Sequence, residues 1–388
     1  MNHQNVFTQQ SCSVCGSHCL KPVWTLENIA ASANVAYHSA AEARRAPKGT
    51  LRLVQCHECG FMWNAAFDIK LVAYQDYAFS LNQSPAYQKH LSFLIAHLQK
   101  NYQIHNAKIL EIGCGDAHAL YTIAKATDSK GIGYEPSFAK RHLNLPDDFN
   151  DYVEVVSEYY NESALHKDVD LVLCRFVLEH IPNPLGFLQS ISRILCQGGK
   201  NPLIVFEVPH VENSLSRERF YQFIYEHCNY FSPKSLVLLF EKAGFEVLES
   251  FRCYEKGAFR LICARLKGVD FKSYPCTETS LFEDNGDNAQ QWKEWQQKIA
   301  SFTSVGIWTA GNPAAILYHL LESPQQIRCF IDLSPEKQGH FMAVSGLPIL
   351  SPKQAIEKGI TAVIVGNATY DLEVPKMIKE YGYPFEVI

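Results

Sequence analysis

Four cysteines stand in two pairs, Cys12-Ser-Val-Cys15 and Cys56-His-Glu-Cys59, and a glycine follows each pair, Gly16 and Gly60. Two thiols two residues apart on a tight turn face one ion, and two such turns complete a tetrahedral shell of four thiolates, the usual form of a structural zinc site. A closed shell leaves no position for substrate, so loss of the metal is expected to unfold the N-terminal segment rather than to remove chemistry directly. His18 and His57 lie close by, but four cysteines are sufficient. Cys19 is expected to be a bystander.

The second set is Leu110-Glu111-Ile112-Gly113-Cys114-Gly115-Asp116. A glycine-rich turn between a strand and a helix lets the backbone approach a ligand and aims helix N–H groups at it. Glu135 follows about 20 residues on, at the end of the next expected strand, where a carboxylate accepts both hydroxyls of a ribose. A dinucleotide would prefer three glycines around its pyrophosphate, and Glu111 and Asp116 would repel that group. The same carboxylates suit the cationic amino-acid end of S-adenosylmethionine. The expected cofactor-binding residues are therefore Glu111, Gly113, Gly115, Asp116 and Glu135.

The elements that must position these groups alternate. Strands are expected at 107–112, 131–134, 170–174 and 203–208, with helices at 85–100, 117–126 and 185–195 between or before them. Two later strands, 245–251 and 259–264, complete the sheet. This is α/β patterning with a parallel sheet covered on both faces. Residues 267–288 are polar and read as a linker. A helix carrying Trp292, Trp295 and Ile299 follows. The alternation then restarts with strands at 304–308, 328–331 and 362–365 and a helix at 314–321, a second and smaller Rossmann-like unit. The boundaries read as 1–68, 69–268 and 269–388.

Composition sets the limits. The chain has 388 residues, 47% hydrophobic and 19% charged, with a net charge of −5. An acidic balance without a Lys/Arg cluster argues against a nucleic-acid partner. No apolar run reaches the roughly 20 residues that span a bilayer. The polar start, Met1 to Gln10, lacks the apolar core of a signal peptide. The 13 cysteines are then expected to serve metal ligation or plain burial rather than a disulfide scaffold, in a cytoplasmic protein.

On the glycine turn, Glu135, Val177-Leu178-Glu179-His180-Ile181-Pro182-Asn183-Pro184 and Gly198-Gly199, the chain resembles class I S-adenosylmethionine methyltransferases. More narrowly, it resembles the zinc-containing sugar C-methyltransferases of deoxysugar pathways. The residues that carry this are the four cysteines, the segment around Tyr74 and Tyr77, the string Glu226-His227-Cys228-Asn229-Tyr230-Phe231-Ser232, and Ile331 to Gly339 with Leu347-Pro348-Ile349 and Ser351-Pro352. The resemblance implies three parts: a zinc module, a central methyltransferase domain and a C-terminal Rossmann-like domain. It implies methyl transfer to a carbon next to a ketone on a nucleotide-linked sugar, a small-molecule substrate. It places His227 as the base that removes the proton α to the carbonyl, with Glu226 beside it. His180 and Tyr77 would position the substrate or stabilise the enolate oxygen. A base near neutral pKa suits this task.

Two positions depart from the family pattern. A tyrosine commonly stands two residues before the glutamate of the Glu-His pair; here Ile224 is there and Tyr225 directly precedes Glu226. The C-terminal domain usually has a glycine-rich first turn; here it reads Thr309-Ala310-Gly311-Asn312-Pro313-Ala314, with one glycine. Such a turn admits a phosphate less closely. The alternatives are a methyltransferase of the same build acting on O, N or C of another small metabolite, an RNA methyltransferase, and a scaffold that keeps the cofactor fold without catalysis.

Overall fold

The computed structural model describes residues 11–35, 37–72, 84–141, 143–161, 166, 168–215, 221–254, 257–282 and 288–388. The first part holds β1 (Leu20–Ala30), α1 (Ala40–Arg44), β2 (Lys48–Cys56) and β3 (Met62–Asn64). The central part runs α2 (Pro85–Tyr102), β4 (Lys108–Ile112), α3 (His118–Ala126), β5 (Lys130–Tyr134), α4 (Phe149–Tyr152), β6 (Val153–Val156) and β7 (Leu171–Arg175). It continues through α5 (Pro184–Leu195), β8 (Leu203–Pro209), β9 (Asn229–Tyr230), α6 (Pro233–Lys242), β10 (Phe245–Cys253) and β11 (Phe259–Leu266). The last part holds α7 (Asn288–Ala300), β12 (Val305–Trp308), α8 (Asn312–Leu320), β13 (Ile327–Ile331), β14 (Ile349–Leu350), β15 (Ala362–Val365) and β16 (Glu386–Val387).

Local sequence explains where three key helices begin. In α2, α5 and α6 a polar residue is followed by proline. Ser84, Asn183 and Ser232 accept from the backbone N–H groups of Tyr87, Gly186 and Ser235, and the prolines stand where no N–H is needed.

The central sheet has seven strands in the order β10-β11-β8-β7-β4-β5-β6. Strands β4 to β8 are parallel, and β11 runs against both of its neighbours. Chain order moves outward from β4 on one side and from β7 on the other. The carboxyl ends of β4 and β7 therefore form a topological switch point, where a crevice opens for a ligand. Both motif-bearing turns, the one after Ile112 and the one after Arg175, leave the sheet there. The C-terminal sheet, β14-β13-β12-β15-β16, is wholly parallel. No described helix is long and apolar enough to cross a membrane.

The nine strands expected above fall within one residue of those observed, apart from β10 and β11, which each run on for two further residues. It did not foresee that the first sheet, β1-β2-β3-β9, takes its fourth strand from the Glu-His string: Met62 pairs with Tyr230 and Trp63 with Asn229. Nor did it foresee how the cores merge. Ile29, Leu51 and Leu53 of the first part share one apolar cluster with Tyr225 and Tyr230 and with Ile307, Ile316 and Leu317 of the last. The cysteine turns and Phe61 share another with Phe206, Phe231 and Phe240 on one face of the central sheet.

Gly49 shows how close this packing is. A Cβ there would stand 2.2 Å from Cε2 of the Tyr225 ring. Tyr225 is almost fully buried, and its hydroxyl accepts from the Asp68 backbone N–H at 2.8 Å, so the ring has no free direction. Gly49→Ala is expected to destabilise by about 1–3 kcal/mol through overpacking, read as a lower midpoint in urea at unchanged slope. An unchanged midpoint would mean that Tyr225 is not fixed.

Candidate active site and metal cluster

The cysteine pairs converge. All four sulfurs lie within 4.8 Å of one another, with Cys12 Sγ and Cys59 Sγ 3.7 Å apart and Cys15 Sγ and Cys56 Sγ 3.5 Å apart. Four thiolates at about 2.3 Å from a tetrahedral zinc stand roughly 3.8 Å from one another, so the set fits such an ion. Each turn closes the same way: Gly16 N–H donates to Cys12 O and Gly60 N–H to Cys56 O, both at 2.8 Å, with φ of +85° and +75°. The hydrogen bond from Cys59 draws the Cys12 thiol down to about 5, and the same bond pushes Cys59 up. The cluster also touches the Glu-His string, because Ser232 Oγ donates to Cys59 O at 2.5 Å.

At the switch point, Gly113 N–H donates to Tyr134 O at 2.8 Å and Gly115 N–H to Glu135 Oε2 at 3.2 Å. Both glycines lie in the left-handed region, at φ +72° and +59°. They serve different ends. A Cβ on Gly113 would meet Val177 Cγ2 at 2.3 Å, so this glycine lets the two turns close together; a Cβ on Gly115 would meet nothing within 4 Å, so this one faces open space. Glu135 is oriented by the Ser137 N–H and hydroxyl on Oε1. Asp116 Oδ1 accepts from His118 N–H at the start of α3.

Glu111 is fully buried, and its Oε1 accepts from Arg175 Nε at 2.9 Å. Burial raises its carboxyl above the ordinary range against the pull of Arg175. Its Oε2 has no partner among the described residues. An orphaned carboxylate oxygen, an open glycine turn and an oriented Glu135 together fit a cationic ligand carrying a ribose.

The turn after β7 carries Glu179 and His180, and His227 comes to the same place from the Glu-His string. The His180 and His227 rings meet edge to face with centroids 4.8 Å apart. His180 Nδ1 lies 2.9 Å from the carbonyl oxygen of Glu226. A carbonyl only accepts, so Nδ1 carries the proton and Nε2 is left as an acceptor. Burial lowers His180 to about 4, and burial with His180 alongside lowers His227 well below the ordinary value. Both rings are thus neutral imidazoles at physiological pH, and both remain partly exposed. The near-neutral base expected from sequence is instead a base held uncharged by its surroundings.

Glu226 does not face the crevice. It is fully buried, with Oε1 accepting from Ser32 Oγ and Oε2 from Asn312 Nδ2 at 2.7 Å. Tyr225 is buried in the core, packed on Phe67 with its hydroxyl accepting from Asp68 N–H, so that hydroxyl is already engaged. Tyr74 and Tyr77 lie outside the described residues. Four further participants were missed by the sequence reading. Arg175 joins Glu111 to Glu207 and Tyr87. Asn312 and Ser32 hold Glu226. Glu179 is buried, with both carboxyl oxygens unpartnered among the described residues, and its ligand atom lies within 4.8 Å of those of His180 and His227. The Glu-His dipeptide at 179–180 was a signal for the last of these; nothing in the sequence marks the others.

Burial alone pushes Glu179 up to about 8. The unfolded chain ionises this group near 4.5, so between these values the folded protein holds the extra proton. The stabilising contribution is complete below about pH 4.5 and is lost as the pH rises through about 8. Glu179→Gln keeps the neutral shape and removes the titration. Its melting temperature is expected to match that of the parent at pH 5 and exceed it at pH 9. Parallel curves at both pH values would contradict a protonated buried acid.

Residues 83–250 match the family model for a methyltransferase domain. The chain is 26% identical over 204 residues to the C-methyltransferase NovU of Streptomyces niveus, covering 48% of each protein. It is 31% identical over 112 residues to a ubiquinone biosynthesis O-methyltransferase of Aliivibrio fischeri, covering 26% of this chain and 47% of that one. The chain thus spans about half the length of these curated relatives. A magnesium protoporphyrin IX methyltransferase of Synechocystis, solved with bound SAM, aligns over 47% of this chain and 80% of its own at TM-score 0.33 and 13% identity, too loosely to bear on function. The central α/β unit that carries this match has the Rossmann-like fold expected of an S-adenosylmethionine-dependent methyltransferase.

Proposed function

We propose that this chain is an S-adenosylmethionine-dependent C-methyltransferase whose acceptor is a nucleotide-linked keto-deoxysugar, with a structural zinc ion on Cys12, Cys15, Cys56 and Cys59. The observation that carries this reading is the pair of neutral, partly exposed imidazoles, His180 and His227, set beside the glycine turn at the switch point. The similarity to a C-methyltransferase and the methyltransferase-domain match support it. None of the thirteen cysteines is paired in a disulfide, which suits the reducing cytoplasm.

The cofactor, when bound, supplies an electrophilic methyl group. Gly113, Gly115 and Asp116 cradle it, Glu135 accepts its ribose hydroxyls, and the orphaned oxygen of Glu111 accepts from its ammonium end. His227 removes the proton next to the substrate ketone; the C–H electron pair moves into the carbonyl, and the enolate carbon becomes the nucleophile. A neutral imidazole needs no deprotonation before it acts. The Glu179 carboxyl, held protonated by burial, lies within 4.8 Å of His227 and offers its carbonyl oxygen as an acceptor to the proton that His227 carries. His180 Nε2, fixed as an acceptor, positions a substrate hydroxyl rather than donating to the enolate oxygen. Holding the reacting carbon in line with the methyl group contributes much of the rate.

A second reading, methyl transfer to O, N or C of another small metabolite, is favoured by the match to an O-methyltransferase. His227→Asn separates the two. Under the first reading, turnover on a keto-sugar nucleotide falls about 10²–10⁴-fold, the usual worth of a general base, while calorimetry shows S-adenosylmethionine binding within twofold of the parent. Near-normal turnover in this variant would remove His227 as the base.

A further inference from the structure

The first turn of the C-terminal Rossmann-like unit, Thr309 to Asn312, stands where such a fold presents N–H groups to a phosphate. In this chain the first of those groups are already engaged: Thr309 N–H donates to Ile331 O at 2.8 Å. Ala310 N–H donates to Asp332 Oδ2 at 2.8 Å, and Lys337 Nζ donates to Ala310 O at 2.8 Å while lying 3.5 Å from Asp332. Pro313, at the second position of α8, has no N–H to offer. The N-terminal module stands in front of Gly311: a Cβ there would make an ordinary contact with Asn34 Oδ1, at 3.5 Å.

The residue that opens α8 is turned to another use. Asn312 is buried, and both ends of its amide are engaged outside its own domain. Oδ1 accepts from Ala33 N–H at 2.7 Å, and Nδ2 donates to Glu226 Oε2 at 2.7 Å. Glu226 in turn presents its backbone carbonyl to His180 Nδ1 and directly precedes His227. One carboxyl thus links the C-terminal turn to both imidazoles. Without the Asn312 donor, a buried carboxyl oxygen loses a hydrogen bond and the loop that carries it gains freedom.

We propose that Asn312 is a positioning residue for the methyl-transfer site, acting through Glu226 to fix His227 and His180, and that the Thr309–Asn312 turn is a docking element rather than a phosphate cradle. This rests on the reading of His227 as the base.

The test uses the full chain and three variants: Asn312→Asp, which keeps the size and the acceptor for Ala33 but removes the donor, Asn312→Ala, and Glu226→Gln. Turnover constants, S-adenosylmethionine affinity by calorimetry and the imidazole carbon-proton NMR signal of His227 with S-adenosylhomocysteine bound are compared. In both Asn312 variants kcat is expected to fall tenfold or more with cofactor affinity within twofold, and the His227 signal to move. In a Glu226→Gln background, Asn312→Ala should cost no more than a further twofold, because both act along one path. Retention of kcat within twofold in Asn312→Asp, or a double variant losing the product of the two single effects, would overturn the proposal. If the parent protein methylates no sugar nucleotide, the function reading fails. The NMR signal then decides the positioning claim alone: a moved signal supports it and an unmoved one overturns it.

Discussion

A carboxyl group taken out of water must find hydrogen-bond donors, and Glu226 is completely buried. It finds them in Ser32, from the N-terminal module, and Asn312, from the C-terminal unit. Much of the molecule follows from that constraint. The Glu-His string can sit beside the β7 turn only when both flanking parts are docked against it. The shared apolar cluster that runs from Ile29 and Leu51 to Ile307 and Leu317 is the packing that docks them. The strand pairing of β3 with β9, and the bond from Ser232 to Cys59, tie the same string to the cysteine cluster. The cysteine cluster thus braces the string that carries His227.

The cofactor side rests on a second buried network. Arg175 lies between Glu111 and Glu207, with Tyr87 on one guanidinium nitrogen and His90 on Glu207 at 2.6 Å. Burial works against the charge of Glu207, yet the hydrogen bond from His90 and the nearby Arg175 hold its carboxyl below the ordinary value. Buried pairs of this kind add little net stability, but removing one partner leaves an uncompensated charge. Their effect here is geometric: Glu111 is held through Oε1, and its Oε2 is left without a partner among the described residues.

The fold was largely legible in the sequence because its strands are short apolar runs bounded by glycine, proline and polar turns. β4, β5, β7 and β8 declare themselves in this way. β6 at a sheet edge, and β9 with two residues, are too short to carry a period, and they form only because a neighbour pairs with them. The four cysteines and the Gly113–Glu135 set were legible because their spacing is the chemistry. The support of the site was not. Ser32 and Asn312 meet Glu226 across 194 and 86 residues of chain, and no local pattern records such a meeting. The single glycine in the Thr309–Ala314 turn signalled a departure from phosphate binding. That Asn34 would stand in front of Gly311, with Asn312 turned toward Glu226, required coordinates. The neutral state of His227 also lay beyond sequence, because it comes from burial among groups distant in the chain.

The central claim is transfer of a methyl group to a carbon made nucleophilic by loss of its proton. It is tested most directly by incubating the protein with methyl-labelled S-adenosylmethionine and a panel of nucleotide 4-keto-6-deoxysugars in deuterated water. Products and recovered substrate would be read by mass spectrometry and NMR. The account predicts the labelled methyl on a ring carbon next to the ketone, and deuterium at that same carbon in recovered substrate. Transfer to oxygen or nitrogen, or binding of the cofactor with no transfer to any sugar in the panel, would contradict it.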